Sequence, residues 1–257
     1  MSIEFKKRPG IVAYLTAGDP DLGTTRDIAL AAIDAGADVI ELGVPFSDPL
    51  ADGPVIQRAS ERAVGRGVRL IDVLGLAKEL RIARPSAGLV LFSYLNPVVR
   101  MGMRDFCVRA AEAGADGVLL TDMIVEEAGE YLEAMREAKL QPIFLAAPTS
   151  PDNRLKSIAL ASQGFVYAIS RVGITGTQQK VEGEAAELVR RLRQFTTLPI
   201  AVGFGISNAE HVRAVGEFAD AAIIGSAIVA LIEKSAPGDE ARSVGGFIRD
   251  CGRERAR

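Results

Sequence analysis

The chain has 257 residues, 48% of them hydrophobic and 25% charged, with a net charge of −3 and a pI near 5.4. That length suits two small domains or one α/β barrel of about 250 residues, and the slightly acidic balance gives no pull toward nucleic acid or an anionic membrane surface. No apolar run reaches the roughly 18 residues of a membrane span, no signal-like stretch follows Met1–Arg8, and just two cysteines, Cys107 and Cys251, fit a reducing cytoplasm better than a disulfide framework.

In chain order, Gly10–Thr16 is a first short apolar run, followed by a helical pattern over Thr24–Asp34. Asp38–Leu42 is a second strand candidate, with a helix over Pro54–Val64. Leu89–Ser93 and Gly117–Thr121 are the third and fourth, separated by a helix over Arg104–Glu112. A helix over Glu126–Glu137 precedes the fifth strand, Pro142–Ala146. Phe165–Ile169 is the sixth, Pro199–Val202 the seventh and Ala221–Ile224 the eighth, with helices over Glu184–Gln194 and Ala209–Val215 between them. Ser226 opens another helix, and Ser235–Asp239 is a loop before the last one. The strands are continuously apolar rather than alternating, as in a parallel sheet covered by helices. A weak echo, Asp34-Ala-Gly-Ala-Asp38, Glu112-Ala-Gly-Ala-Asp116 and the degenerate Glu217-Phe-Ala-Asp220, marks a helix end, a turn and an Asp before a buried strand. Eight βα units at about 30-residue spacing favour a single closed (β/α)8 TIM barrel over an open doubly wound sheet.

Chemistry in such a barrel gathers at the carboxyl ends of the strands. Glu41 ends the second strand candidate, and Asp52 follows on a loop holding Pro45, Pro49, Pro54, Gly43 and Gly53. The prolines restrict that loop, so two carboxylates are held at a set separation. Taken alone, Glu41 could equally close a salt bridge; partial burial would lift it toward the range useful for proton transfer. Tyr94 and Asn96 follow the third strand, Asp122 the fourth, and Tyr167 lies near the end of the sixth. Glycines cluster after the last three strands, at Gly173–Gly176, Gly203–Gly205 and Gly225-Ser226. Backbone amides there, at a helix N-terminus, would hold a phosphate with little help from lysine, Lys180 being the only one near. Tyr14, Phe92, Leu119 and Phe204 lie near strand ends and could form a flat apolar slot. His211, the only histidine, falls in a helix and reads as solvated, so no histidine triad or metal cluster can be built. Asp48, in Ser47-Asp48-Pro49, reads as a turn or a contact-making loop tip.

The segment Glu41-Leu-Gly-Val-Pro-Phe-Ser-Asp-Pro-Leu-Ala-Asp52-Gly-Pro54 closely resembles the signature of the tryptophan synthase alpha subunit family. So do Tyr14-Leu-Thr-Ala-Gly-Asp-Pro20, Tyr94-Leu-Asn-Pro97, Ser170-Arg-Val-Gly-Ile-Thr-Gly176, Gly203-Phe-Gly-Ile206 and Gly225-Ser-Ala-Ile228, in order along nearly the whole chain. The resemblance implies a cofactor-independent carbon–carbon lyase that splits indole-3-glycerol phosphate into indole and glyceraldehyde 3-phosphate. It implies that Glu41 carries protons, that Asp52 holds the indole N–H, and that Tyr167 packs beside Glu41. Thr175 would contact Asp52 on loop closure, while Gly176, Gly205, Gly225 and Ser226 would bind the phosphate end and Tyr14, Phe92, Leu119 and Phe204 the ring. It implies a partner too, a pyridoxal-phosphate beta subunit in an α2β2 complex, reached through the Asp48-Pro49 loop. The chain departs from the family in having only Met1–Pro9 where a helix usually precedes the first strand, and in lacking a proline after Asp122. A ring-closing synthase of the same pathway would need a lysine at a strand end, and none of the eight candidates ends in one.

Overall fold

The structure is a computed structural model and describes residues 3–169, 178–203 and 205–253. Its strands are β1 (Gly10–Thr16), β2 (Val39–Gly43), β3 (Gly88–Ser93), β4 (Gly117–Leu120), β5 (Gln141–Ile143), β6 (Leu145–Ala146), β7 (Val166–Ile169), β8 (Ile200–Gly203) and β9 (Ala221–Ile224). All pair in parallel, in the order β5-β4-β3-β2-β1-β9-β8-β7-β6. The two ends of that order are consecutive in the chain: β5 pairs with β4, β6 pairs with β7, and only Phe144 separates them. The carbonyl of Phe144 accepts from Tyr167 N at 3.1 Å, so the ring closes through one strand in two pieces. The expected eight-stranded barrel is therefore present, its fifth strand interrupted at Phe144.

Eleven helices are described: α1 (Leu22–Ala35), α2 (Pro54–Gly65), α3 (Leu70–Ala83), α4 (Leu95–Met101), α5 (Met103–Glu112), α6 (Gly129–Ala138), α7 (Asp152–Ala161), α8 (Gln178–Leu192), α9 (Ala209–Gly216), α10 (Ser226–Lys234) and α11 (Glu240–Arg253). None of them is long and apolar enough to cross a membrane. The helix expected over Glu126–Glu137 is two pieces, a single 3₁₀ turn at Val125–Glu127 and then α6. The break falls at Ala128, next to Gly129, a weak helix former. Helix α3 escaped the sequence reading because its buried stripe of Leu70, Val73, Leu74, Ala77 and Leu80 is blurred by Ile71 and Ile82, apolar side chains on its exposed face.

Strand residues alternate between two cores. Ile11, Ala13, Leu15, Ile40 and Leu42 pack outward against the helices, while Val12, Val39, Val90, Leu119, Ile143, Ala201, Ala221 and Ile223 fill the barrel together with Phe165, just ahead of β7. Among the described residues no helix precedes β1. Instead Ile3, which is buried, and Phe5 plug the bottom of the barrel. Phe5 meets Phe165 edge-on at 5.9 Å, and Ile3 N donates to Gln141 Oε1 at 3.2 Å. A few apolar residues thus close the bottom of the barrel, where the resemblance leads one to expect a helix.

The echoed Asp residues have a common physical task. Asp38 Oδ2 accepts from Ile11 N at 2.9 Å, Asp116 Oδ2 from Leu89 N at 2.9 Å and Asp220 Oδ2 from Ile200 N at 2.8 Å. Each carboxylate, placed just before its own strand, satisfies an amide at the start of the adjacent strand. Buried amides there would otherwise be orphaned. The repeat is structural, and it sits at the end opposite the site.

Candidate functional site

Among the described strands, Glu41 is the only charged residue. It lies within β2, in register with Tyr14 on β1 and Val90 on β3, on the inward face that Val39 also occupies. It is wholly buried, and neither carboxyl oxygen has a hydrogen-bond partner among the described residues. Such a group costs stability, so a fold keeps one only for a reason beyond packing. Burial pushes the Glu41 carboxyl up to about 8, which leaves it mostly protonated at neutral pH.

Asp52 has a different environment. Its carboxyl rises only to about 6, lifted by burial and held down by the Tyr94 hydroxyl, which donates to Asp52 Oδ2 at 3.0 Å. It is mostly ionised at neutral pH. The loop bearing it is tied on several sides. Ala51 N donates to Tyr94 Oη at 2.9 Å, Gln57 Nε2 donates to Asp52 O at 2.8 Å, and Ser60 Oγ accepts from Phe46 N at 2.9 Å. The Phe46 ring lies 5.2 Å from that of Tyr94. Stiffness therefore comes from helix α2 and Tyr94 as well as from the prolines.

Tyr167 and Tyr14 each lie within electrostatic reach of both acids. Burial raises both hydroxyls far above the usual phenol range; for Tyr167 the charges of Glu41 and Asp52 add to it, and for Tyr14 those of Asp52 and Glu41. Both stay neutral and can donate. Two strand-end glycines make room for them: a Cβ on Gly43 would lie 2.3 Å from Tyr14 Oη, and one on Gly203 would lie 2.5 Å from Tyr167 Oη. These glycines serve close side-chain approach.

A cavity of about 360 Å³ opens at this end of the barrel. Its wall is mainly apolar, with Phe92, Leu145, Ile169, Ile223, Val55 and Ile56, plus Tyr14, Tyr167, Thr121 and Asp52. Gly205, Gly225 and Ser226 form its other side. Gly225 caps α10 without any side-chain bond, leaving the first amides of the helix for an anion. Glu41 is not on the cavity wall; it is enclosed, in electrostatic contact with Tyr14 and Tyr167, which are. A broader, shallow depression of about 840 Å³ lies at the opposite end around Phe5, Lys6, Lys7, Arg193 and Asp220, away from the strand carboxyl ends.

Of the residues singled out from sequence, Asp52, Tyr167, Tyr14, Phe92, Gly205, Gly225 and Ser226 converge on the cavity, with Glu41 behind it. Leu119 does not: it is fully buried in the inner core, next to Phe92 and Ile143 in register, and supports the wall from below. Thr175, Gly176, Phe204 and the Lys180 side chain lie outside the described residues. His211 is half-buried rather than solvated, and its Nδ1 lies 3.2 Å from Gly205 O and 3.3 Å from Ser207 N, bracing the turn behind Gly205. Asp122 Oδ1 accepts from Leu95 N at 2.7 Å and so caps α4. At the loop tip Asp48 is exposed and Leu50 is 92% exposed.

Tyr94 as the partner of Asp52 is the contact that sequence reasoning did not assign. Its place just after β3 was the available signal. Tyr94→Phe removes the bond that stabilises the Asp52 anion, so the Asp52 midpoint should rise above about 6. Carboxyl ¹³C NMR titration reads it directly, and a fall in the midpoint would contradict the assignment.

A sequence model of the tryptophan synthase alpha chain family matches residues 2–248. The chain is 49% identical over 231 residues to the tryptophan synthase alpha chain of Solibacter usitatus, covering 90% of this chain and 86% of that one. It is 46% identical over 240 residues to the counterpart from Neisseria meningitidis serogroup B, covering 93% and 92%. Among solved structures, a chain of tryptophan synthase from M. tuberculosis superposes with a TM-score of 0.88 at 34% identity, covering 98% of this chain and 94% of that one. The alpha subunit from Legionella pneumophila gives 0.88 at 34%, covering 96% and 92%. A barrel whose described strands hold one acid, matched along almost its full length, leaves one assignment: this chain belongs to the tryptophan synthase alpha chain family.

Proposed function

We propose that this chain, working as one barrel domain, cleaves indole-3-glycerol phosphate to indole and glyceraldehyde 3-phosphate. The observation that supports it most is the pair of carboxyls whose surroundings drive them to opposite protonation states at neutral pH, Glu41 near 8 and Asp52 near 6. Glu41, turning toward the cavity, delivers its proton to indole C3. The ring then carries the positive charge at nitrogen, where the Asp52 carboxylate accepts the N–H and stabilises it. The Glu41 carboxylate, now free, takes the proton of the adjacent glycerol hydroxyl. The C–C bond breaks, its electrons return to the ring, and the aldehyde leaves. Protons and electrons balance within substrate and Glu41, so the protonated ring is its own electron sink. The apolar wall suits the indole, and Gly205, Gly225 and Ser226 suit the phosphate.

The partner implied by the family is a beta subunit that takes up the indole. The exposed tip at Asp48, Pro49 and Leu50 stands at the cavity end of the barrel and presents a bare apolar side chain suited to that contact. The deciding measurement is indole release from indole-3-glycerol phosphate, with and without a pyridoxal-phosphate beta subunit. Release is expected in both conditions and faster with the partner. Absence of release in both would assign the cavity to another phosphorylated substrate.

A further inference from the structure

Helix α2 links the two halves of the site. On one side it holds the acid loop, through Gln57 at the carbonyl of Asp52 and Ser60 at Phe46. On the other it is held by ions. Arg62 grips Asp19 with two parallel bonds, Nε to Oδ1 at 2.8 Å and Nη2 to Oδ2 at 2.7 Å, and its Nη1 reaches Glu233 Oε1 at 2.9 Å. Arg58 adds bonds of 3.0 and 2.8 Å to the same Glu233. Asp19 follows β1 and is only 4% exposed; Glu233 sits on α10, the helix whose first turn is the anion corner. A third contact runs the same way, since Ile56 of α2 packs near Gly225.

We propose that Arg62 is a positioning residue that fixes the distance between the Asp52 carboxylate and the anion corner at Gly225-Ser226. A planar guanidinium bound bidentately to a buried carboxylate sets orientation as well as distance. Buried ion pairs add little net stability, because desolvation offsets attraction, so geometry is what this one supplies best. Arg62 lies eight residues into α2, about 12 Å along its axis from the loop. A small tilt there displaces Asp52 relative to α10 while leaving the barrel strands in place. The inference rests on the phosphate-bearing substrate proposed above.

The test compares wild type, Arg62→Met, Arg62→Lys and Glu233→Ala as full chains. Misplacement on the scale of an ångström costs up to about 10²-fold in turnover, so Arg62→Met should lower kcat for indole release between about 10- and 100-fold and raise KM. Lysine keeps the charge and loses the fork, so partial recovery is expected with Arg62→Lys. Glu233 is on the surface, and Glu233→Ala should raise KM with kcat nearly kept. An activity-independent readout is the ¹³C titration midpoint of Asp52, which should drop from about 6 in Arg62→Met as the carboxyl leaves its buried seat. A folded Arg62→Met with wild-type midpoint and KM, its kcat merely scaled by the folded fraction, overturns the proposal. Should that variant fail to fold, an unchanged KM in Glu233→Ala overturns it instead. Lack of indole release by the wild type would reject the substrate reading alone, and the Asp52 midpoint would still decide the role of Arg62.

Discussion

Glu41→Gln is expected to abolish indole release from indole-3-glycerol phosphate, with a loss of about 10³-fold or more, while substrate affinity stays within a few-fold of wild type. The argument starts from the enclosure of Glu41. Its carboxyl is wholly buried, without a partner among the described residues, and protonated at neutral pH because burial penalises the anion. A neutral acid that turns toward the ring from behind the cavity wall is what C3 protonation requires. The same group, once deprotonated, is a strong base in a dry site and takes the glycerol hydroxyl proton. Glutamine matches glutamic acid in size and neutrality but offers no acidic proton, so both steps stop. Binding persists because the phosphate corner and apolar wall involve Gly205, Gly225, Ser226, Phe92 and Ile223, and Glu41 is not part of that wall. Single-turnover indole release with a parallel binding measurement checks both halves. Turnover near the wild-type rate would remove Glu41 from the chemistry.

How much of this was legible in the sequence differs by residue. Glu41 stood out because an acid at the end of a strand candidate falls where barrel chemistry gathers. Asp52 stood out because its loop is dense in proline. The strand count was legible because β-runs and helices alternate, although the interruption at Phe144 was not. Wall residues such as Leu145, Ile169 and Ile223 were invisible for a physical reason: strands of a covered parallel barrel are apolar on both faces, so the sequence does not reveal which alternate residues point inward. The height of an inward residue is hidden as well. Phe92 and Leu119 are register neighbours, yet Phe92 reaches the cavity and Leu119 stays in the core. The Tyr94–Asp52 bond joins positions 42 residues apart, and the Arg62–Glu233 bond joins positions 171 apart. Those contacts need the closed barrel before they exist. His211 illustrates the converse, since a helical position with polar neighbours conceals a ring turned back onto the Gly205 turn.

The second large effect concerns stability, and the same residue should carry it with the opposite sign. An ordinary glutamate titrates near 4.5, whereas Glu41 in the folded protein titrates near 8. Between those values the folded state keeps a proton that the unfolded chain has lost. Stability therefore falls as pH rises from about 4.5, by about 1.4 kcal/mol per pH unit, and levels off above about 8. At pH 5 the wild type and Glu41→Gln should be close in stability, each burying a neutral polar group. At pH 8 the glutamine variant should be the more stable by on the order of 3 kcal/mol, which for a chain of this size is a rise in Tm of roughly 6–12 °C. Groups that titrate alike in both proteins cancel in the difference. Thermal melts of the two proteins at pH 5 and pH 8 read it directly. Parallel behaviour at the two pH values would mean that the fold does not hold Glu41 protonated, and the proton donor of the proposed cleavage would be lost with it. Divergence toward high pH would show the barrel giving up stability to keep an acid dry and neutral, a trade that makes sense only where the proton is used.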